Sequence, residues 1–132
     1  MTSVPPALRR LALAAMALAA VSCNTKSNPP APDAGAEEVI SIRGNSSQMG
    51  DKAFSPGTDT VYVGTKVAWK NNDTMAHTST RKESPLPWDT GNIAPGSKSA
   101  PIAMTLAGTY TYSCSIMMHK MSGVLVVRER TP

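Results

Sequence analysis

The chain has 132 residues, enough for one domain but too few for two ordinary ones, and its 41% apolar content excludes a wholly disordered protein. Eleven prolines, nine glycines and only 17% charged residues argue against a helix bundle and favour strands joined by turns. The formal charge is +4, but without residues 1–22 it falls to +2, with 11 basic and 9 acidic residues that are scattered, so we do not expect nucleic-acid binding.

Residues 1–22 are predicted to form a secretion signal. Arg9 and Arg10 supply its positive end, and residues 11–21 are an unbroken apolar run rich in Ala and Leu. A helix of that length rises about 16 Å, roughly half of the hydrocarbon core of a bilayer, so the run is too short to span a membrane. The arginine pair leaves open whether export uses the general secretory or the twin-arginine route.

The segment that follows is predicted to anchor and tether the protein. Residues 20–23, Ala-Val-Ser-Cys, resemble the lipobox of bacterial lipoproteins, which implies lipidation of Cys23. This places the protein in the cell envelope, attached to a membrane and facing the periplasm or the exterior. The alternative is an ordinary signal followed by a free or disulfide-bonded Cys23. Residues 23–38 carry no large apolar side chain, so we expect a disordered tether.

Residues 39–129 are predicted to form the folded domain. Short apolar alternations recur there between Gly, Pro, Asn and Asp, without a convincing helix. They predict seven or eight short strands in an all-β, antiparallel sandwich. The predicted strands lie at residues 39–43, around Phe54, and at 60–63, 67–70, 77–80, 102–106, 110–114 and 124–127, with an irregular passage at 85–96. Side chains expected to share a face are Val67 with Trp69, Ile102 with Met104 and Leu106, and Tyr110 with Tyr112 and Cys114.

Soft metal ligands are concentrated near the end of the domain. Cys114 and His119 lie among three methionines, Met117, Met118 and Met121, and the only other histidine is His77, far upstream. Strand ends of a sandwich can meet at one pole, which would bring these side chains together. Soft sulfur favours Cu(I), imidazole accepts both oxidation states, and two His and one Cys with a weak axial Met form an electron-transfer copper centre. A Cys-rich or His-rich zinc site cannot be built from one candidate thiolate and two imidazoles.

Three ordered motifs resemble the plastocyanin- and azurin-like cupredoxins. Residues 67–78, V-A-W-K-N-N-D-T-M-A-H-T, resemble the first copper motif, residues 108–114 the strand leading to the Cys ligand, and residues 119–127 the remaining ligands and last strand. The resemblance covers residues 39–129. It implies a Greek-key β-sandwich with one type 1 copper, held by His77, Cys114, His119 and Met121.

The ligand spacing departs from the usual family pattern. Four residues separate Cys114 from His119, but only one separates His119 from Met121. Residues two apart on an extended stretch point the same way, so both can face one ion, at a restricted angle. Met121 is the expected axial ligand, with Met118 or Met117 as alternatives. Met117 and Met118 are otherwise interpreted as an exposed docking patch around His119 or as core filler.

The predicted function is one-electron transfer between redox proteins of the cell envelope, by a monomer that is not an enzyme. Two histidines are too few for the trinuclear centre of a multicopper oxidase. Electrons are expected to pass through the exposed edge of His119, and Thr78 and Ser115 to hydrogen-bond across the loops and orient the ligands. The alternatives are a Cu(I) carrier or storage lipoprotein and a metal-free sandwich that anchors other envelope proteins.

Overall fold

A computed structural model describes residues 35–131, which form a β-sandwich of nine strands in two sheets and one 3₁₀ turn at Ser46–Gln48. The strands are β1 (Glu37–Ile42), β2 (Phe54–Ser55), β3 (Thr58–Tyr62), β4 (Lys66–Asn71), β5 (Thr80–Arg81), β6 (Trp88–Asp89), β7 (Ile102–Ala103), β8 (Gly108–Ser113) and β9 (Ser122–Arg128). One sheet has the order β2-β1-β4-β7 and the other β3-β9-β8-β5-β6.

The predicted secretion signal, the predicted lipidation site Cys23 and residues 24–34 of the predicted tether lie outside the described residues. Within residues 35–131, the structure contains no helix with the length and apolar character needed to cross a membrane. Strand β1 begins at Glu37, two residues before the expected domain boundary, because Glu37 and Glu38 pair with Lys66 and Val67 of β4.

The all-β sandwich is confirmed. It has nine strands instead of seven or eight, because β6 lies in the passage that was predicted to be irregular, and a purely antiparallel arrangement is wrong. Strands β1 and β4 pair in parallel over six residue pairs, and β3 and β9 over five. The reason is the path of the chain. After β1 it forms β2 and then crosses to the other sheet as β3, so it re-enters the first sheet at β4 in the direction of β1. Parallel neighbours need such a crossover, whereas a tight hairpin gives antiparallel ones.

The buried side chains of β4 and β8 extend from the core to one pole of the sandwich. Val67 and Trp69 of β4 are fully buried, and Tyr110, Tyr112 and Cys114 are buried along β8 and the residue after it, as expected. The Tyr112 ring packs edge-on against Trp69, with ring centroids 5.5 Å apart. Cys114 therefore continues the buried face of β8 beyond the end of the strand.

The predicted face of Ile102, Met104 and Leu106 is wrong at Leu106. Strand β7 ends at Ala103, Met104 is fully buried, and Leu106 is 44% exposed. The chain bends towards β8 at this point, and the hydroxyl of Tyr110 donates a hydrogen bond of 2.9 Å to the Leu106 carbonyl. The bend interrupts the alternation that a continuous strand would have kept.

Gly123 gives the Tyr112 side chain room where β8 and β9 pair. The two residues are directly opposite each other in the ladder. A Cβ at Gly123 would lie 2.4 Å from Cζ of Tyr112 and 2.5 Å from its hydroxyl oxygen. No side chain fits there unless the ring moves.

Gly123→Ala should therefore lower the free energy of unfolding by about 1–3 kcal/mol, since an overpacked core must shift side chains or backbone. Denaturant unfolding of the metal-free protein measures this loss. Ser122→Ala, at the neighbouring half-buried position of β9, is the control and should change stability by about 0.5 kcal/mol or less. Equal stability of the two variants would contradict the packing argument.

Two carboxylates, Asp59 of β3 and Glu38 of β1, lie on strands of different sheets and repel each other. Asp59 of β3 is half-buried; its Oδ1 accepts a hydrogen bond of 2.8 Å from the Thr60 N–H, and its buried Oδ2 has no partner among the described residues. Burial raises the pKa of Asp59, against the effect of the Thr60 hydrogen bond. Burial, followed by repulsion from Asp59, raises the pKa of Glu38.

Asp59→Asn should stabilise the protein at neutral pH. A pKa that is higher in the folded than in the unfolded state means that wild-type stability falls as pH rises above about 4, where the unfolded carboxyl ionises. The stability of the variant relative to wild type should therefore increase between about pH 4 and pH 7. Urea unfolding across this range tests it, with Asp51→Asn, at an exposed aspartate, as control. If the stability difference between Asp59→Asn and wild type does not change with pH, the raised pKa of Asp59 is contradicted.

Candidate metal centre

Three side chains from distant parts of the chain converge at one pole of the sandwich. His77 follows β4 after a turn, Cys114 directly follows β8, and His119 lies in the loop before β9. Their ligand atoms all lie within 4.8 Å of one another. Cys114 Sγ is 3.5 Å from His119 Nδ1, and the ring centroids of the two histidines are 4.9 Å apart.

The His77 ring is fully buried and held in an orientation that suits a metal ligand. Its Nε2 lies 2.8 Å from Oδ2 of Asp73, and because a carboxylate can only accept, Nε2–H is the donor. The other nitrogen, Nδ1, then carries a lone pair, and this buried atom has no hydrogen-bond partner among residues 35–131. A buried imidazole whose second nitrogen is fixed by a carboxylate is the usual form of a metal-binding histidine. The site therefore fits a metal ion.

Asp73 is itself held by several donors. Its two oxygens accept hydrogen bonds from the backbone N–H groups of Asn45 (2.9 Å), Ser46 (3.0 Å) and Thr74 (2.7 Å), in addition to the His77 ring. Burial alone raises the pKa of Asp73, but the hydrogen bonds from Asn45, His77, Ser46 and Thr74 outweigh burial and hold that pKa well below its usual range. Asp73 is thus an ionised, fully hydrogen-bonded support for His77.

The sulfur of Cys114 is positioned by the segment between β4 and β5 that carries His77. The Thr78 N–H donates to Sγ over 3.4 Å, and the Thr78 hydroxyl lies 3.8 Å from the same atom. The N–H of Ser115 donates to Thr78 Oγ1 over 2.8 Å, and the two hydroxyl oxygens are 3.0 Å apart. The predicted hydrogen bond between Thr78 and Ser115 is confirmed, and it links the two loops on either side of the thiol.

The loop that presents His119 is tied to the segment after β1. The His119 N–H donates to the Ile116 carbonyl over 3.1 Å, which closes a tight turn between Cys114 and His119. The Lys120 N–H donates to the Ser47 carbonyl over 2.6 Å, and the Lys120 carbonyl accepts from the Gly50 N–H over 2.7 Å. These bonds explain how four intervening residues still return His119 to the thiol. His119 is half-buried, whereas His77 and Cys114 are buried.

Met121 is the buried methionine of this region. It is 4% exposed, and its Sδ lies 3.9 Å from the hydroxyl of Ser46, which is itself 3.3 Å from Nε2 of His77. Met117 and Met118, by contrast, are 85% and 81% exposed, which excludes them as core filler. Among these three, Met121 is therefore the thioether placed beside the cluster.

Two residues that support the site were missed by sequence reasoning. Asp73 lies within the motif at residues 67–78 and was given no role there, although its position four residues before His77 could have indicated a carboxylate–histidine pair. Ser46, 31 residues from His77, touches both His77 and Met121. No local sequence signal reveals that contact, because it depends on how the segment after β1 folds back over the pole.

Comparison with known families identifies the domain. Residues 11–127 match the family described as cupredoxin-like domain. The chain belongs to the cupredoxin-like family. Among curated proteins, no match was found for this cupredoxin.

Solved structures show the same fold at low sequence identity. A purple cupredoxin from Nitrosopumilus maritimus is 22% identical, with a TM-score of 0.58 over 67% of this chain and 97% of that chain. A point mutant of amicyanin, in its reduced Cu(I) form, is 24% identical, with a TM-score of 0.53 over 73% of this chain and 84% of that chain. The Cu-containing nitrite reductase from Thermus scotoductus SA-01 is 24% identical, with a TM-score of 0.56 over 70% of this chain but 22% of that enzyme.

The cluster of His77, Cys114, His119 and Met121 in this cupredoxin is typical of a type 1 copper site, so the predicted copper cofactor is confirmed. The donor set explains the preference for copper. It combines one thiol sulfur, two imidazoles and one thioether, in a chain that offers no further histidine or cysteine between residues 35 and 131 for a zinc site.

Asp73→Asn should make the metal-free protein less stable, and the His77 ring should no longer be held in one tautomer. An asparagine side chain has only one acceptor oxygen, and its amide nitrogen cannot accept from Ser46 and His77, so we expect a loss of about 1–3 kcal/mol in the free energy of unfolding. ¹⁵N NMR of the imidazole should also show that the Nε2–H tautomer is no longer fixed. Asp51→Asn is the matched control at an exposed position. An unchanged His77 tautomer in Asp73→Asn would show that Asp73 does not orient the ring.

Proposed function

We propose that this cupredoxin is a one-electron carrier that works through a single type 1 copper and is not itself an enzyme. The observation that carries the proposal is the buried Nδ1 of His77, which has no hydrogen-bond partner within the described part of the chain, in a cluster whose ligand atoms lie within 4.8 Å of one another. His77, Cys114 and His119 would hold the copper as its strong ligands, and Met121 would be a weak fourth ligand. Copper bound there supplies a one-electron couple between Cu(I) and Cu(II).

The contribution of the protein is to hold these ligands in nearly the same place in both oxidation states. Asp73 fixes the His77 ring, and Thr78 fixes the sulfur of Cys114. Each of these supports is buried and bonded to backbone groups of another segment, so little needs to rearrange when an electron arrives or leaves. Of the three proposed strong ligands, His77, Cys114 and His119, only His119 is partly exposed, so its outer edge is the proposed route for electrons.

The proposed partners are other redox proteins of the cell envelope. Met117 and Met118 directly precede His119 and are exposed, so they offer an apolar patch where a partner can approach the ring. The lipobox-like residues 20–23 support attachment through lipid on Cys23, and the polar residues up to 38 support a tether that lets the domain reach its partners.

Titrating the metal-free full-length protein with Cu(II) should produce an intense blue or green colour that a mild reductant removes reversibly. Cys114→Ser should abolish the colour, because the charge-transfer transition requires the thiolate, while far-UV circular dichroism keeps its strand signal. Visible absorption and electron spin resonance measure the outcome. If the colour survives in Cys114→Ser, the assigned thiolate is wrong.

The other cysteine of the chain provides the matched control. Cys23→Ser should keep the colour and move the protein from the membrane fraction to the soluble fraction. Loss of colour in Cys23→Ser would contradict the site assignment, and unchanged membrane association would contradict the lipid anchor.

A second candidate function is that of a Cu(I) carrier or storage protein. The exposure of Met117 and Met118 favours it, because thioethers bind Cu(I) in preference to Cu(II). A protein that binds Cu(I) but stays colourless with Cu(II) would favour the carrier over electron transfer. Absence of stoichiometric copper after gel filtration would instead favour a metal-free anchoring sandwich.

A further inference from the structure

Three exposed methionines lie on the two loops that carry the histidines of the metal centre. Five large apolar side chains are exposed among residues 35–131, and three of them are methionines: Met75 (49% exposed), Met117 (85%) and Met118 (81%). Met75 lies two residues before His77, and the other two lie directly before His119. Because the two imidazole rings are 4.9 Å apart, the loops that carry these thioethers meet at the same pole.

The backbone at two of these methionines is held in place by side-chain amides. The Asn71 Nδ2 donates to the Met75 carbonyl over 2.7 Å, and the Gln48 Nε2 donates to the Met118 carbonyl over 2.7 Å. Both amides come from outside the loops that they hold. The loops are therefore fixed, although the thioethers themselves lie in solvent.

Met118 also adopts an unfavourable backbone conformation. Its φ of 71° lies in the left-handed region, where only one other non-glycine residue of the described chain, Asn45, is found. Glycine or asparagine fits this region at lower cost, so the surroundings must hold Met118 in this conformation.

The chemistry of three thioethers selects one class of ligand. Thioether sulfur is soft, uncharged and polarisable, so it suits Cu(I) and discriminates against Zn²⁺, Mg²⁺ and Ca²⁺, which prefer harder donors. None of these three methionines is a proposed ligand of the buried copper, so their thioethers are available to bind a second ion.

We propose that Met75, Met117 and Met118 form an exposed thioether site that captures Cu(I) at the entrance to the buried centre. The proposal goes beyond electron transfer, because it concerns how the ion arrives. Passage inwards needs no oxidant or reductant: the metal stays Cu(I), its bonds to thioether sulfur are replaced by bonds to Cys114 and the imidazoles, and the thiol proton leaves to solvent. His119, which directly follows Met118 in the chain, is the half-buried ligand of the centre, whereas His77 and Cys114 are buried.

The test uses full-length Cys114→Ser protein with ¹³C-labelled methionine methyl groups, titrated with Cu(I) without oxygen. We expect the methyl resonances of Met75, Met117 and Met118 to shift on titration, while those of the half-buried Met49 and the fully buried Met104 stay in place as internal references. Adding Met75→Leu, Met117→Leu and Met118→Leu together should abolish the Cu(I) binding that causes the shifts. Met104→Leu is the matched control and should leave the Cu(I)-induced shifts of Met75, Met117 and Met118 unchanged.

The proposal is overturned if the three methyl resonances do not respond to Cu(I), or if the triple leucine variant binds as many Cu(I) ions per protein as its parent, which still has His77, His119 and Met121. In the protein that keeps Cys114, the triple variant should also load more slowly from a Cu(I) donor while reaching the same final colour with Cu(II). Unchanged loading together with weaker association with a redox partner would show that the three methionines serve only for docking. Because the titration is done without Cys114, its result is independent of whether the buried centre transfers electrons.

Discussion

The hydrogen bond between His77 and Asp73 is the interaction on which the metal centre depends. It is 2.8 Å long and buried, and it leaves Nδ1 of His77 as the atom available to a metal. The same carboxylate accepts backbone N–H groups from Asn45 and Ser46, so one side chain joins the end of β4 to the segment after β1. Removing it would disturb both the ligand and the local fold, because three backbone donors would lose their acceptor.

The sandwich brings the remaining ligands to this carboxylate by simple strand geometry. Alternation along β8 buries Tyr110, Tyr112 and then Cys114, so the thiol arrives on the core side at the end of the strand. The next loop turns back through hydrogen bonds to Ser47 and Gly50, which present His119 at the same pole. The fold and the cluster belong to a cupredoxin, and the chain adds exposed thioethers around it.

Local features, such as the buried faces of strands and the ligand motifs, could be predicted from the sequence. Contacts between distant segments could not. The alternation of β8 predicted its buried face correctly. Val67 and Trp69 of β4 are buried as predicted, although Ala68 between them is buried too. The motifs around His77, Cys114 and His119 predicted a copper site that the structure brings together. The parallel pairing of β1 with β4 was missed because it depends on the chain crossing between sheets, which no strand pattern encodes. Leu106 was misjudged because a bend fixed by Tyr110 ends the alternation. Ser46 was missed because only tertiary packing brings it to His77.

The parallel ladder between β1 and β4 also determines how the domain responds to a mechanical load. Six residue pairs join the two strands side by side, starting at Glu37 and Lys66. A pull on the chain ahead of Glu37 acts along β1, so it must shear these hydrogen bonds together instead of opening them one at a time. The segment from Asn45 to Gly50, which supports Asp73 and the His119 loop, lies beyond that ladder. The metal centre is thereby shielded from tension that enters through the N-terminal side of the domain.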